Sequence, residues 1–553
     1  MTATSRARAL GPILGATLGA LLAACGAAPA PSATAPTPAP APAVPPAPAP
    51  AQEPPAVIQT AVPQELTFPE EAFRAVQPAA GAPRPLSLPR IKPFTLRSGI
   101  KVYLVEQHTL PIVSLDLNFD GGSRMDPPGK EGLASLCMGL IGEGTVARDK
   151  IAYNEALADL ASSVNSYATL DSHGLSLSSL SKNLEPTLAL FRETLLTPGL
   201  RAPDLERLSK RRIESIRQAK STPASIAGRV SDAVLFGPTH PLGALETEAT
   251  VAQITLEDCR QHAARWLRPR GARLFVVGDL TEAQVRQAFD GPELAGWTGA
   301  VPARPPLPRP QTLPGRIFLV HVPGAAQSQV QLLHFGPKRV SPQYFANTLL
   351  GAVFGGGFTS RINMNLREDK GYSYGARGGF SYTRDHGTFS ASASVRTDAT
   401  YQALIELDRE LKALWSGERP VTAEELEREK TGAILSLPGR FATSSAALGQ
   451  YRALVYYGLP LDTYASYVAK VSSVTARELR AAAAKNLRPG QAVVLVVGDA
   501  DAKMITRSDG KDVPLTRGGQ QLTLRQALAE LATRGELGGG GLVTLDADAR
   551  VMR

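Results

Sequence analysis

The histidines of this 553-residue chain are the side chains best suited to hold a metal ion, and their spacing disfavours a helical metal site. The seven histidines are His108, His173, His240, His262, His321, His334 and His386. The closest two, His321 and His334, are thirteen residues apart, whereas a helix binds zinc through histidines one turn apart. A metal site in this chain would therefore have to be assembled from residues that are distant in sequence.

Residues 132–145, GLASLCMGLIGEGT, form a predicted helix with two different faces. Apolar side chains recur at the spacing of a core-facing stripe: Leu133, Leu136, Cys137, Leu140 and Ile141. The other face carries Ser135, Met138 and Gly139, and a glycine inside a helix costs about 1 kcal/mol relative to alanine. Because Cys137 belongs to the apolar stripe, we expect a buried free thiol there, although a bond to Cys259 in an oxidising compartment stays open.

An internal repeat organises the rest of the chain. Residues 254–280 and 474–500 align without gaps at an offset of 220 and share twelve of twenty-seven positions. Each copy is a predicted amphipathic helix, a turn at Leu-Arg-Pro and a β-rich run that ends in Gly-Asp. Upstream, His173-Gly174 and His386-Gly387 each precede an alternating strand. The chain therefore contains two homologous domains.

Strands of alternating pattern, such as residues 101–107 and 112–119, lie beside helices of twelve or more residues. We therefore predict an α+β fold in which each domain is an antiparallel sheet with helices packed on one face. A predicted helix after Thr523 has a capping box with Gln526, in a segment to which we assign no chemistry. The predicted divisions are a signal peptide at 1–24, an Ala/Pro-rich tether at 25–84, a first domain at 85–300, a Pro-rich linker at 301–315, a second domain at 316–500 and an extension at 501–553.

The first residues have the composition of a secretory signal. Arg6 and Arg8 precede an apolar run that ends in Leu-Ala-Ala-Cys, which resembles the lipobox of bacterial lipoproteins, with Cys25 as the lipid-modified residue. Gly26 follows rather than Asp, so we expect an outer-membrane lipoprotein that faces the periplasm. The tether after Cys25 is almost wholly Ala and Pro and is expected to be extended. An ordinary signal peptide with a chance cysteine is the alternative.

The overall charge suggests no nucleic-acid partner. The formal net charge is +9, without a basic block or an aromatic-studded basic stripe. At 43% hydrophobic and 20% charged residues, most of the chain can bury cores.

Two stretches, residues 119–136 (FDGGSRMDPPGKEGLASL) and 355–375 (GGGFTSRINMNLREDKGYSYG), resemble signatures of the pitrilysin and insulysin metallopeptidase family. This family includes the mitochondrial processing peptidase, and the resemblance extends over nearly all of residues 90–500. It implies two domains that form a clamshell. The zinc motif of active members, His-x-x-Glu-His, falls here on Ser135, Met138 and Gly139, none of which can replace its histidines or glutamate.

The third zinc ligand of the family is a glutamate on a later helix, and it aligns best with Leu208. Glu206 and Glu214 are close enough to leave that alignment open. The resemblance therefore implies that this chain holds no cofactor and that zinc is expected in a partner chain.

The second signature retains the residues with which the second domain of family members contacts the substrate. Arg367 and Tyr374 match, at a spacing of seven, the arginine and tyrosine that hydrogen-bond the substrate and the oxyanion of the tetrahedral intermediate. A solvated salt bridge with Glu368 or Asp369 is the alternative role for Arg367, and packing within a strand is the alternative for Tyr374. Tyr372, two residues before Tyr374 on the predicted strand, is expected to point the same way and is a reserve candidate.

Residues 164–172, VNSYATLDS, resemble the edge strand on which family members hold an extended substrate. We name Asn165 and Tyr167 as its substrate-binding residues, since an exposed edge offers unpaired N–H and C=O groups to a peptide. A neighbouring element covering this edge is the alternative.

The resemblance implies a catalytically incomplete peptidase homologue. It would pair with a zinc-bearing homologue, enclose short or unfolded peptides and contribute Arg367 and Tyr374 to the partner's active site. The alternatives are a non-enzymatic peptide-binding or scaffold lipoprotein of the envelope, and a peptidase that uses unusual metal ligands.

Overall fold

The computed structural model of the protein describes residues 71–76, 87–311, 317–538 and 540–552. The chain divides into two compact units, 1–80 and 81–553. Within the first unit, residues 72–75 form one 3₁₀ turn. The predicted signal peptide, Cys25 and most of the tether lie outside the described residues. In the described ranges no helix has the length and apolar character needed to cross a membrane.

The first domain contains a six-stranded sheet in the order β1-β2-β6-β3-β5-β4. Its strands are β1 Lys92–Thr95, β2 Lys101–Glu106, β3 Ile112–Asp120, β4 Ser163–Ala168, β5 Ser172–Leu180 and β6 Arg273–Gly278. Its helices are α1 Leu133–Ile141, α2 Lys150–Asp159, α3 Leu184–Leu196, α4 Ala202–Ala219, α5 Pro223–Phe236, α6 Glu248–Ala252, α7 Leu256–Trp266 and α8 Glu282–Phe289. The pair β2/β6 is parallel and the other pairs are antiparallel. The expected α+β class is therefore confirmed, with a mixed sheet.

The second domain repeats this arrangement in the order β16-β7-β11-β8-β10-β9. Its strands are β7 Ile317–His321, β8 Gln327–Gly336, β9 Ser373–Tyr382, β10 Gly387–Arg396, β11 Val493–Gly498, β12 Ile505–Ser508, β13 Lys511–Pro514, β14 Thr516–Arg517, β15 Gln520–Gln521 and β16 Leu542–Leu545. Its helices are α9 Tyr344–Gly355, α10 Arg361–Asn363, α11 Thr400–Ser416, α12 Ala423–Leu435, α13 Ser444–Tyr456, α14 Tyr467–Ser472, α15 Ala476–Asn486 and α16 Leu524–Thr533. The segment after residue 500 adds β16, parallel to β7, and packs α16 into the core of this domain.

The repeat found in the sequence is also a structural repeat. Helices α7 and α15, and strands β6 and β11, occupy equivalent places at the offset of 220. Thr255 and Thr475 begin the two helices with matching capping boxes, because each hydroxyl accepts the backbone N–H three residues later. The predicted box of Thr523 and Gln526 likewise begins α16.

Each sheet is covered on its second face by a helix of the other domain. Apolar side chains of α5 pack on β7, β8 and β11, and those of α13 pack on β2 and β6. The expectation of helices on one face therefore holds only for the helices of each sheet's own domain. Ion pairs also join the domains, among them Arg452–Asp116 at 3.0 Å, Arg384–Asp120 at 3.0 Å and Arg124–Asp385 at 2.9 Å.

The prediction of a free thiol at Cys137 is wrong. Cys137 on α1 and Cys259 on α7 form a disulfide, and their Cα atoms are 4.9 Å apart. Both residues are buried in one apolar cluster with side chains of α1 and α4. Burial was predicted correctly from the stripe, but the partner lies 122 residues away and is brought near only by the packing of α1 on α7.

Candidate functional site

Helix α1 presents the three positions of the degenerate motif in three different environments. Ser135 is exposed, Met138 is fully buried in the core of the first domain, and Gly139 is partly exposed. A Cβ atom built on Gly139 would meet no heavy atom within 4 Å. The outward side of α1 therefore carries a hydroxyl and an open glycine.

The start of α1 depends on a carboxylate from outside the helix. Gly132, the N-cap, has a φ of 102° and makes no side-chain cap, while Asp126 accepts the N–H groups of Gly132 and Ala134 at 2.9 Å each. Burial, with a smaller contribution from the nearby Glu246 and Glu131, raises the pKa of Asp126 to about 7 against the effect of the two backbone donors. The sequence gives no local signal for this residue, because its position six residues before Gly132 is unlike an ordinary cap.

Helix α4 brings no metal ligand to α1. Leu208 is buried in the apolar cluster that also contains Leu136 and Cys137. Glu206 is exposed and pairs with Lys210 of its own helix at 2.6 Å, and Glu214 is likewise exposed and pairs with Arg217. The two glutamates left open by the alignment are therefore engaged along the surface of α4.

The residues at this place do not fit a zinc ion. A hydroxyl, a buried thioether, a glycine and a buried leucine provide no set of nitrogen, thiolate or carboxylate donors. Among the residues that the structure describes, three possible donors lie within 4.8 Å of one another only at His321, Asp499 and Asp501, in the second domain. There, the His321 Nδ1 atom already accepts the Ala500 N–H at 3.0 Å.

Arg367 lies in a π-helical turn, Met364–Asp369, that continues α10. Its side chain is exposed, with Nε 3.2 Å from Glu368 and Cζ 4.7 Å from the centre of the exposed Phe358 ring. π-helical turns are rare and often occur at functional sites, since the extra residue redirects side chains. This turn is fixed from inside by Asn365.

The buried Asn365 amide donates to two glutamates of α11, Glu406 at 3.0 Å and Glu410 at 2.8 Å. Arg409 and Arg419 pair with these carboxylates. Asn365 and Phe358 were not predicted from the sequence. A polar residue two positions before Arg367 is the signal that could have indicated Asn365.

Tyr374 projects from a β-bulge. In the pairing of β9 with β10, Ala376 pairs with Ala393 and Ser373 pairs with Val395, so Tyr374 and Gly375 together oppose one residue. The Tyr374 side chain is 87% exposed. It makes no hydrogen bond within the described part of the chain.

The prediction that Tyr372 points the same way as Tyr374 is wrong. Tyr372 is buried, precedes β9, and donates its hydroxyl to Asp512 at 2.8 Å. Burial and, to a smaller extent, the Asp512 carboxylate together raise the pKa of Tyr372 to about 12. The strict alternation of a strand does not apply, because Tyr372 belongs to the turn after Leu366 and the bulge follows it.

Strand β4 is the edge strand that was predicted, and Asn165 is exposed on it. Tyr167 is not available to a substrate: its hydroxyl donates to Asp116 at 2.6 Å and accepts from Asn118 at 3.0 Å and Arg452 at 3.1 Å. Burial raises its pKa. The assignment of Tyr167 to substrate binding is therefore corrected to a role in the domain interface, since Arg452 reaches it from the second domain.

Comparisons with known proteins agree with this architecture. The family model described as Insulinase (Peptidase family M16) matches residues 101–235, and the one described as Peptidase M16 inactive domain matches residues 253–433. The chain is 22% identical over 391 residues to the Non-peptidase homolog YmxG of Helicobacter pylori, covering 69% of this chain and 88% of that protein. It is 22% identical over 380 residues to the Zinc protease PqqE of the same organism, covering 66% and 83%.

Among solved structures, the crystal structure of a peptidase M16 inactive domain from Pseudomonas fluorescens superposes with a TM-score of 0.68 at 26% identity. The match covers 74% of this chain and 98% of that one.

Proposed function

The chain belongs to the insulinase family of peptidases, M16, and lacks its zinc motif, and from this we propose that it is the metal-free subunit of a two-chain peptidase. Its partner is a homologue that carries an intact zinc motif. In this arrangement the partner supplies the metal, and this chain supplies hydrogen-bond donors to the bound peptide. The substrates are short or unfolded peptides.

The observation that carries this proposal is the state of Arg367 and Tyr374. Both side chains project to solvent from irregular backbone, a π-helical turn and a β-bulge, and the Tyr374 hydroxyl makes no hydrogen bond within the described part of the chain. The ring of Phe358 and the Asn365 contacts limit the freedom of Arg367. Hydrogen-bond donors that are already held in position are needed to stabilise the negative charge that develops on a carbonyl oxygen.

In the proposed reaction the Arg367 N–H groups and the Tyr374 hydroxyl donate to the peptide carbonyl oxygen as it gains negative charge. The contact of Glu368 with Arg367 Nε weakens this role but does not abolish it, because the two terminal nitrogens of the guanidinium can still donate. Removing one donor of this kind costs roughly 10²–10³ in rate.

Strand β4 is the second element of the proposal. Its free edge offers backbone N–H and C=O groups to an extended peptide, and Asn165 adds an exposed amide. Because these contacts are mostly to backbone, they favour extended chains over folded ones.

We further propose that Cys25 carries a lipid anchor in the outer membrane and that the two domains face the periplasm. The Ala/Pro-rich segment would hold them away from the membrane.

The experiment is reconstitution of peptide hydrolysis from purified chains. The wild-type pair should hydrolyse an unstructured peptide. This chain alone should not hydrolyse it efficiently, and neither should a pair in which this chain carries Arg367→Ala. Arg367→Ala and Tyr374→Phe should each lower kcat of the pair, and Arg260→Ala, an exposed arginine on α7, should not. Hydrolysis by this chain alone would refute the proposal and favour a peptidase that uses unusual metal ligands. A mixture of the two chains that shows no hydrolysis would refute it and favour a non-enzymatic scaffold, and a pair unaffected by both site variants would refute the proposed roles of Arg367 and Tyr374.

A further inference from the structure

Helix α1 is intrinsically weak. It has nine residues, contains Gly139, and begins at a glycine that provides no side-chain cap. Isolated helices shorter than about 12–15 residues are marginal in water, and a mid-helix glycine lowers their stability further. The position of α1 therefore depends on its ties to neighbouring elements.

Besides Asp126 at its start and its apolar packing, α1 and the turn that follows it are held by polar ties and one covalent tie. Arg207 of α4 pairs with Glu143, just after the helix, and Ser166 of β4 donates its hydroxyl to the Met138 carbonyl at 2.5 Å. The covalent tie is the disulfide between Cys137 and Cys259, which joins the middle of α1 to α7.

We propose that the Cys137–Cys259 disulfide is the main tie that orders α1 and, through α1, the β4 edge, so that the first domain matures only after these two thiols are oxidised. The bond closes a separation of 122 residues and is the covalent link between two helices that otherwise pack through one apolar cluster. Its loss would free α1 to separate from α7.

The chemistry requires an external disulfide, of a thiol–disulfide exchange catalyst or of oxidised glutathione. One cysteine thiolate attacks that disulfide to form a mixed disulfide, and the second thiolate displaces the carrier sulfur. The Cys137–Cys259 bond forms, the carrier disulfide is reduced to two thiols, and the two electrons and two protons pass to it. Because both cysteines are fully buried in the folded domain, exchange precedes the closure of α1 on α7.

The connection to the β4 edge is direct. Ser166 lies beside Asn165, and its bond to Met138 joins the edge strand to α1. Reduction should therefore loosen residues 163–168 together with residues 133–141, while the second domain stays ordered.

The first test is peptide mass mapping of the full wild-type chain after alkylation without reductant. We expect Cys137 and Cys259 to be recovered as one disulfide-linked peptide pair, and to be alkylated only after denaturation with reductant. Alkylation of both in the unreduced protein would refute the proposal even if every variant failed to fold.

The second test compares Cys137→Ala, Cys259→Ala and the double variant, with Ser135→Ala on the exposed side of α1 as a matched control. Each single variant and the double variant should lower the melting temperature by the same amount, roughly 5–15 °C, because all three remove one bond. Hydrogen exchange should accelerate at residues 133–141 and 163–168, and the control should change neither. An additive effect in the double variant, or unchanged exchange in these segments, would contradict the proposal.

Discussion

Tyr372 and Tyr374 are two residues apart and have opposite environments: Tyr372 is 1% exposed and bonded to Asp512, whereas Tyr374 is 87% exposed. The bulge that contains Tyr374 separates a structural tyrosine from one that is free to contact another molecule. The same conservative change should therefore have different effects at the two positions.

Tyr372→Phe should lower the free energy of unfolding by about 1–2 kcal/mol, because it removes a hydrogen bond to a carboxylate. Tyr374→Phe should leave the free energy of unfolding unchanged within about 0.5 kcal/mol. Urea denaturation of the two variants checks this, with each serving as the other's control. Equal losses would show that Tyr374 is structural.

The local and repeated patterns of the sequence predicted the fold class, and the resemblance of residues 164–172 to an edge strand of the family predicted the edge position of β4. The duplication at an offset of 220 residues predicted that α7 and α15 are equivalent helices. The apolar stripe of α1 correctly placed Cys137 in the core.

What the sequence did not predict depends on contacts between distant residues. Tyr167 was assigned to a substrate because nothing local reveals that Arg452, 285 residues later, reaches its hydroxyl. The orientation of Tyr372 depends on a π-helical turn and a bulge, which break the two-residue period assumed for a strand. The bond from Cys137 to Cys259 depends on helix packing in the same way.

The contact between the two domains contains a buried arginine. Arg124 is 2% exposed and donates to Asp171 at 3.1 Å and to Asp385 of the second domain at 2.9 Å. Arg124→Met keeps much of the side-chain volume but leaves the buried Asp171 short of a donor. Because Arg304 remains 3.0 Å from Asp171, we expect a loss of about 1.5–3 kcal/mol in the free energy of unfolding.

The control for this prediction is Arg260→Ala, which removes an exposed pair with Glu257 at 3.7 Å and should cost less than about 1 kcal/mol. Both are measured by urea denaturation at one salt concentration. Comparable losses in the two variants would mean that the buried pair adds no more to domain contact than a surface pair.

The proposed lipid anchor gives a separate prediction. Cys25→Ser should release the protein from the membrane fraction, because it removes the thiol that would carry the lipid. The melting temperature of the released protein should stay the same, since Cys137 and Cys259 are unaffected. Fractionation of cells that express either form checks this, and retention of Cys25→Ser in the outer membrane would contradict the anchor.

Two buried histidines make the first domain sensitive to acid. His173 and His262 have ring centres 5.1 Å apart, and neither His173 Nε2 nor either His262 nitrogen has a hydrogen-bond partner in the described structure. Burial and, to a smaller extent, the nearby His262 lower the pKa of His173 to about 3. Burial lowers the pKa of His262 to about 4. Both groups are therefore neutral in the folded protein at pH 7.

Because the folded-state pKa of His262 lies below the ordinary value of 6.5, the unfolded chain binds more protons between those values, and stability present above pH 6.5 is lost as the pH falls. His262→Phe removes this proton uptake without removing a hydrogen bond, so between pH 7.5 and pH 5 it should lose about 2 kcal/mol less than the wild type. The buried Asp126, whose pKa is raised, acts in the opposite direction, so the comparison of variant with wild type is the informative measurement. Chemical denaturation at both pH values checks this, with the exposed His108→Gln as the control. Parallel pH profiles for wild type and His262→Phe would show that His262 is not the group that makes the domain sensitive to acid.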